Sequence, residues 1–229
     1  MQYYKVVESI NSPVIIDTQV NNYGSVLIDR FHYEKLLSYI THSSLILDLP
    51  LDMYFSLNNN LYILREKYLI NFPKPVNGKF EVSAFTNLPI HKGIFINESD
   101  LNDILENLIL IGLPPFFDGF YLWEYLYEKV RINKHIEKPS RTNSFFLFEN
   151  LSDCNFYIDN HKPGYVICKV DILNKKCLFK GDMNLLDLIP NHYTFKQSEA
   201  QIDNYWKGYT SQKPVYEILF QGICKLIPL

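Results

Sequence analysis

The residue of this sequence best placed for chemistry is Glu217, which interrupts an apolar segment near the end of the chain. The segment runs Pro214-Val-Tyr-Glu-Ile-Leu-Phe220, a pattern typical of a buried strand. Strict alternation places Glu217 on the same face as Val215 and Leu219, where an ionised carboxylate is costly unless it is paired or has a function. Glu217 is therefore a candidate catalytic carboxylate. The alternative is an edge-strand glutamate that faces water.

A second polar group precedes another apolar strand, in the segment Lys138-Pro-Ser-Arg-Thr-Asn-Ser-Phe-Phe146. Its proline keeps the chain extended, and Ser140, Arg141 and Ser144 flank the start of the strand. A guanidinium can bind an anionic group through two hydrogen bonds, so Arg141 is a candidate ligand-binding residue. A surface arginine paired with an aspartate or glutamate is the competing interpretation.

A third candidate is the adjacent aromatic pair Tyr205 and Trp206, in Ala200-Gln-Ile-Asp-Asn-Tyr-Trp-Lys-Gly208. These rings could provide a face on which a nicotinamide or a base stacks. Such a pair also commonly anchors a helix onto a sheet, and both interpretations remain open from the sequence.

Several established site motifs are absent from the sequence. It contains no Walker A loop, no GxGxxG, no GxSxG and no HExxH. The six histidines are scattered, and Cys154, Cys168, Cys177 and Cys224 form no CxxC pair, so we expect reduced structural cysteines and no metal. A metal-dependent nuclease is the least favoured class of function.

The composition is that of a globular chain. It has 229 residues, of which 47% are hydrophobic and 21% charged, which excludes a disordered protein, a collagen-like fibre and a disulfide-stapled miniprotein. No apolar run is long enough for a transmembrane helix, and the first residues lack the pattern of a signal peptide. We therefore expect a cytoplasmic protein with no membrane partner.

The charge balance argues against a protein that coats nucleic acid. The formal net charge is −3 at pH 7. A local basic patch could still hold a phosphate backbone. Its five candidate residues are Lys129, Arg131, Lys134, Lys138 and Arg141.

The elements that must position these residues follow from periodicity and turn signals. In the first half, the sequence predicts strands at Tyr3–Val7, Pro13–Asp17 and Phe80–Phe85. It predicts helices at Phe31–Ile40 and from Asn97 or Ser99 to Gly112. Asn71–Gly78 is predicted to be irregular, and periodicity does not decide whether Leu61–Ile70 is helical or extended.

In the second half, it predicts helices at Phe120–Ile132, Leu151–Asp159 and Ser198–Tyr205, strands at Asn143–Phe148 and Val215–Leu226, and an antiparallel pair Tyr165–Ile172 and Lys176–Lys180 joined by a turn. This order favours an α+β fold in one domain over residues 1–229, with a mixed part at 1–115 and a β-rich part at 116–229 that carries the suspected site.

The second half also resembles a known group of proteins. The succession Pro139-Ser-Arg-x-x-Ser-Phe-Phe, Gly181-Asp, Ala200-x-x-x-x-Tyr-Trp-x-Gly and Glu217-Ile-Leu-Phe resembles a bacterial and phage family similar to the ADP-ribosyltransferases, including DarT-like toxins. The resemblance covers about residues 120–229.

The resemblance implies a split antiparallel β core that binds NAD as a substrate in a cleft, with helices packed around it. Glu217 would match the catalytic glutamate, which stabilises the oxocarbenium-like transition state as nicotinamide leaves. Arg141, Ser140 and Ser144 would hold the ribose or pyrophosphate. Tyr205 and Trp206 would lie on the segment before the glutamate strand, which helps to choose the acceptor.

Two departures from the family pattern accompany this resemblance. The first strand offers no His or Arg to hold the NAD ribose, and His42 and His91 are the available substitutes. Val215 stands two residues before Glu217, where arginine-modifying enzymes have Glu or Gln.

The leading hypothesis is an NAD-dependent ADP-ribosyltransferase or NAD glycohydrolase, an intracellular toxin, effector or phage factor with a protein or nucleic-acid acceptor. The alternative is a non-catalytic binding module with the same fold.

Overall fold

Two long antiparallel strands from the second half of the chain, Val166–Asp182 and Tyr216–Pro228, form the centre of the β structure. The computed structural model describes residues 2–25, 30–57, 74–86, 89–111 and 119–229. The chain divides into two units. The first comprises Met1–Ile28, Leu126–Ile189 and Ala200–Leu229, and the second comprises Asp29–Tyr125 and Pro190–Glu199.

The described residues contain both helices and antiparallel strands, which confirms the predicted α+β class. In chain order the strands are β1 (Tyr3–Val7), β2 (Val14–Asp17), β3 (Lys79–Glu81), β4 (Phe95–Asn97), β5 (Phe145–Leu147), β6 (Val166–Asp182) and β7 (Tyr216–Pro228). The helices are α1 (Arg30–Leu47), α2 (51–57), α3 (Ser83–Thr86), α4 (Glu98–Ile111), α5 (Gly119–Lys134), α6 (Leu151–His161), α7 (Asn184–Asp187) and α8 (Phe195–Trp206). Within this described part, no helix combines the length and the apolar character needed to cross a membrane.

The sheet of the first unit joins strands from both ends of the chain. Its order is β1-β6-β7-β2, and β5 also pairs with β7. Tyr4 and Phe148 exchange two backbone hydrogen bonds of 2.8 Å, which link β1 to the end of β5. The ladder β1-β6-β7-β5 therefore closes into a hydrogen-bonded ring, so residues 3–17 are part of the same β structure as the suspected site.

The ring has an apolar face that explains its stability. Leu147, Cys168, Val170, Ile218 and Phe220 pack together there, none of them more than 3% exposed. Alternation along β7 places the side chain of residue 217 on the face opposite Ile218. That opposite face is the one that receives the polar residues of the candidate site.

The second unit is mainly helical, with a two-stranded sheet of β3 and β4. The stripe predicted for α4 is confirmed, because Leu101, Ile104, Leu105 and Leu108 are all buried. His91 is fully buried and hydrogen-bonded to Thr86 (2.8 Å) and Asp52 (2.7 Å), an arrangement typical of a structural histidine.

Most element predictions are confirmed. β1, β2, α5, α6 and the final strand lie where the sequence places them, with small differences at their ends. The helix predicted from Phe31 runs further, to Leu47. The predictions for Leu61–Ile70, for residues 71–73 of the irregular segment and for the helix stop at Gly112 lie outside the described residues.

Two element predictions are wrong. The segment predicted as an antiparallel pair is one continuous strand, β6. Its residues 173–176 have the composition of a turn, but two register shifts against β7 keep them within the strand. The strand predicted over Phe80–Phe85 stops at Glu81. There the Val82 carbonyl accepts hydrogen bonds from the amides of Phe85 and Thr86 and starts α3.

Candidate functional site

Three predicted site residues, Arg141, Tyr205 and Glu217, meet in one buried cluster of the first unit. The Tyr205 hydroxyl donates to Glu217 Oε1 at 2.7 Å. Arg141 Nη1 donates to the Tyr205 hydroxyl at 3.0 Å and also to Glu217 Oε1, with which it forms a salt bridge. The residues come from the turn before β5, from α8 and from β7, and they meet on the same carboxylate oxygen.

The cluster is almost completely removed from solvent. Glu217 is 6% exposed, Arg141 7% and Tyr205 0%. Buried charges of opposite sign must pair, because each alone carries a desolvation cost of several kcal/mol (order of magnitude). The observed salt bridge satisfies that requirement.

The two oxygens of Glu217 differ in their surroundings. Oε1 accepts both hydrogen bonds described above. Across the described residues, no hydrogen bond reaches Oε2. Among the described residues, Glu217 is thus a carboxylate held through one of its two oxygens.

Arg141 is positioned by aromatic rings and by a second carboxylate. Its guanidinium carbon lies 4.8 Å from the ring centroid of Phe146 and 5.3 Å from that of Tyr127, distances typical of cation–π contacts. Its backbone N–H donates to Glu128 Oε1 at 2.9 Å, and Glu128 Oε2 accepts from Arg131 at 3.1 Å. Glu128 therefore fixes the backbone from which Arg141 extends.

The turn that carries Arg141 is built by the hydroxyls of the predicted segment. Ser144 Oγ donates to the Ser140 carbonyl at 2.7 Å, and the Ser144 amide donates to the Arg141 carbonyl at 3.1 Å. Ser140 Oγ lies 2.8 Å from the hydroxyl of Thr142. The two serines thus shape the loop around Arg141.

Tyr205 occupies its position because β6 leaves room for its ring. Gly181 pairs with Glu217 in the β6–β7 register, and a Cβ atom at Gly181 would overlap the Tyr205 ring. Burial raises the pKa of Tyr205 well above its usual value, and the nearby Glu217 carboxylate adds to the effect. The phenol therefore stays protonated at neutral pH and remains a hydrogen-bond donor.

Trp206 does not join the polar cluster. It is fully buried, its indole N–H donates to the Tyr127 carbonyl at 3.1 Å, and its ring lies 5.4 Å from that of Phe179. These contacts agree with the interpretation that the aromatic pair anchors α8 onto the sheet.

The structure adds residues that the sequence analysis did not select. Asp182 is 1% exposed and accepts hydrogen bonds from the amides of Asn184, Ser211 and Val215, which fixes the chain just before Glu217. The only sequence signal for Asp182 was its place beside Gly181 in the family-like motif.

Another unselected residue is Lys5 on β1. Burial lowers the pKa of Lys5 to about 8, and the nearby Glu217 carboxylate partly opposes this shift. Its ammonium lies 4.4 Å from the Phe145 ring centroid. Within the described part of the chain it forms no ion pair or hydrogen bond.

The predicted basic patch is divided between buried and exposed residues. Arg131 and Arg141 are buried, and both are paired with glutamates. Lys138 lies near Glu137 (3.9 Å) and over the Phe179 ring. The two arginines of the expected phosphate-binding patch are therefore engaged within the protein.

No group of three or more His, Cys, Asp or Glu side chains suited to a metal ion is found among the described residues. All four cysteines are free, and Cys154, Cys168 and Cys224 are buried.

Comparison with known proteins places the second half of the chain in a recognised group. A family model described as "Protein of unknown function (DUF2441)" matches residues 93–228, more than half of the chain. This range includes every member of the Arg141–Tyr205–Glu217 cluster. No curated protein matches the sequence.

Proposed function

The chain belongs to this family of unknown function (DUF2441), and we propose that it is an NAD-dependent ADP-ribosyltransferase or NAD glycohydrolase with Glu217 as the catalytic carboxylate. The acceptor would be a protein, a nucleic acid or, for the glycohydrolase, water. The proposal includes an ADP-ribosyltransferase-like β core.

The observation that carries the proposal is the asymmetric environment of Glu217. One oxygen is held by Arg141 and Tyr205, and the other has no hydrogen bond within the described part of the chain. A carboxylate fixed in this way does not need to reorganise when positive charge develops near its free oxygen. Preorganised charge of this kind is usually the largest contribution to enzymatic rate enhancement.

The reaction assigned to this site breaks the bond between C1′ of the ribose and the nicotinamide nitrogen. The bonding electron pair leaves with nicotinamide, and the ribose acquires oxocarbenium character. Glu217 Oε2 would stabilise that positive charge. A nucleophile of the acceptor, or water, then forms the new bond to C1′ and releases its proton.

Arg141 and Tyr205 act in this scheme as positioning residues. The guanidinium and the phenol both bind the oxygen that faces away from the substrate, so they orient the carboxylate without touching the ribose. The resemblance assigns Arg141 to NAD itself, whereas its pairing with Glu217 favours the indirect role.

The alternative, a non-catalytic module with the same fold, is also supported by one observation. Glu217 and Arg141 are both less than 10% exposed, as expected for an ion pair that only stabilises the packing of α8 on the sheet.

The test is nicotinamide release from NAD by the purified protein, followed by chromatography. Because Glu217→Gln keeps the side-chain shape but removes the charge, it should lower the rate about 10²–10³-fold. Glu8→Gln, the same change at an exposed site, should have no effect. Circular dichroism at the assay temperature establishes that the Gln variant is folded there, and thermal unfolding measures the stability that it loses with the Arg141 pair.

Two results would overturn the proposal. One is equal nicotinamide release by wild type and a folded Glu217→Gln variant. The other is no release by the wild type together with no transfer of label from NAD to any component of an added cell lysate. The second result would favour the non-catalytic module.

A further inference from the structure

A pocket of about 590 Å³ opens on the first unit where β7 changes its pairing partner. β5 pairs with residues 218–220 of β7, and β2 pairs with residues 223–226. Gln221 and Gly222 lie between these two pairings, and both line the pocket. The volume is within the usual range of small-molecule sites.

The shape of the pocket is fixed by backbone structure. Gly222 has a φ of 145°, and a side chain there would collide with the Asn174 carbonyl on β6. The Gly222 amide donates to Thr18 Oγ1 at 2.9 Å, and its carbonyl accepts from the Thr18 amide at 3.0 Å. These contacts hold β6, β7 and the end of β2 together, so the backbone of the sheet determines the shape of the pocket.

The β6 wall is shaped by two register shifts against β7. Leu173 and Lys176 are the residues passed over in the register. A bulge of this kind re-aims a side chain at a local irregularity of the sheet. Lys176 lines the pocket from one of these positions.

The lining is rich in carboxamides. They come from four separate segments and are Gln19, Asn22, Asn143, Asn174 and Gln221. A carboxamide has both a donor and an acceptor, which suits a hydroxyl group, since a hydroxyl also does both. Two of the five amide nitrogens already donate within the protein, Asn22 Nδ2 to the Thr18 carbonyl at 2.9 Å and Gln221 Nε2 to Ser144 Oγ at 3.3 Å. Most small-molecule pockets are lined mainly by apolar side chains. This one therefore favours a ligand with many hydroxyls.

Lys176 is the group of the lining that can bind an anionic part of a ligand. Among the described residues that line the pocket, Lys176 is the cation and Asp17 the carboxylate. Asp17 Oδ1 accepts a hydrogen bond from the Gln19 amide at 2.9 Å. Lys176 forms no ion pair within the described part of the chain, so its ammonium is available to an anion.

We propose that this pocket binds a phosphorylated sugar, with the sugar hydroxyls on the carboxamides and the phosphate on Lys176. Free sugar phosphates and the ribose phosphate of a nucleotide share this chemistry. The inference does not rest on the proposed NAD chemistry, because it uses none of the residues assigned to it.

The test is calorimetric titration of the full chain with ribose 5-phosphate, AMP and ribose. We expect ribose 5-phosphate or AMP to bind with a dissociation constant below about 1 mM, and ribose to bind more weakly because it lacks the phosphate. If AMP binds more strongly than ribose 5-phosphate, the natural ligand is a nucleotide. If ribose 5-phosphate binds as strongly as AMP or more strongly, the natural ligand is a free sugar phosphate.

Two pairs of matched variants locate the site. Lys176→Met should weaken binding of the phosphorylated ligands about tenfold or more, because a charge-assisted contact is lost. Lys175→Met removes the same charge from the neighbouring residue, which does not line the pocket, and should leave binding unchanged. Asn143→Ala should weaken binding severalfold, whereas Asn21→Ala should not.

The proposal is overturned if neither ribose 5-phosphate nor AMP binds at about 5 mM. It is also overturned if binding occurs but Lys175→Met and Lys176→Met affect it equally. Lys176 is exposed, so its substitution should not disturb folding, which circular dichroism can verify. Neither outcome depends on nicotinamide release.

Discussion

Arg141 and Glu217 are two buried charges that each depend on the other. Removing one partner of such a pair leaves the other buried and unpaired, which typically costs about 3–5 kcal/mol. The same contact that fixes the carboxylate therefore also contributes to the fold. Any loss of activity in a Glu217 variant must be compared with its loss of stability before a chemical role is assigned.

Lys5 gives a residue-scale prediction about pH. The pKa of Lys5 is lowered from 10.5 to about 8 in the folded protein, so between these values the unfolded chain binds more protons than the folded one. The contribution of Lys5 is thus unfavourable below pH 8 and is relieved as the pH rises towards 10.5. Lys5→Met should raise the free energy of unfolding at pH 7 by on the order of 1–3 kcal/mol.

Urea unfolding of wild type and Lys5→Met at pH 7 and at pH 10 measures this effect. Because the tyrosines and cysteines are common to both proteins, the difference between the two free energies reports on Lys5 and on its coupling to Cys154, Cys168 and Cys224. The difference should shrink at pH 10. A difference that is constant with pH, or a variant less stable than the wild type at pH 7, would contradict the assignment.

The residues of the candidate site can be predicted from the sequence to different degrees. Glu217 could be selected because it breaks an apolar alternation, which is a local signal. Arg141 and Tyr205 are candidates from their own segments, a polar turn after a proline and an adjacent aromatic pair. Their meeting on one carboxylate oxygen depends on the packing of α8, which periodicity does not specify. Lys5 carries no local signal, since a lysine in a short strand most often faces solvent.

At the scale of elements, the contact between β6 and α8 sets the position of Tyr205. Gly181 on β6 is the residue whose lack of a side chain admits the Tyr205 ring. The ring is fully buried and lies 5.6 Å from that of Phe179, so it has little freedom to move away.

Gly181→Ala should therefore lower the free energy of unfolding by about 1–3 kcal/mol, the usual cost of overpacking. Thermal unfolding measures the change. In a Tyr205→Leu background the same substitution should cost much less, since the clashing ring is absent. Equal costs in both backgrounds would show that the Gly181–Tyr205 contact is not the cause.

The elements that the sequence analysis missed share a physical reason. Residues 173–176 of β6 are Leu-Asn-Lys-Lys, a composition that normally marks a turn. They remain in a strand because bulges at Leu173 and Lys176 keep the ladder aligned with β7 on both sides. Bulges depend on the partner strand, which lies about fifty residues away in the sequence, so single-sequence patterns do not contain them.

At the scale of the whole molecule, the ring of strands depends on residues 3–7. β1 pairs with β6 at five positions and is joined to the end of β5 by the Tyr4–Phe148 hydrogen bonds. Deleting residues 2–8 should leave β6 and Phe148 with unpaired backbone groups and abolish cooperative unfolding, as seen by circular dichroism.

The variant that lacks residues 2–8 also allows a direct test of whether the β1 sequence is needed to pair with β6. A synthetic peptide of residues 1–11, added in excess, should restore the cooperative transition by adding a strand to the open edge. A scrambled peptide of the same composition is the control. Recovery with both peptides, or an unchanged transition after the deletion, would contradict the role assigned to β1.

The joining of β1 and β2 to β6 and β7 also has a consequence for synthesis on the ribosome. The first two strands emerge early, but their partners lie more than 150 residues later in the chain. Contacts between such distant residues form slowly, because a long loop must close first. In the growing chain the edges of β1 and β2 therefore stay unpaired until β6 and β7 have been made, and unpaired strand edges favour aggregation.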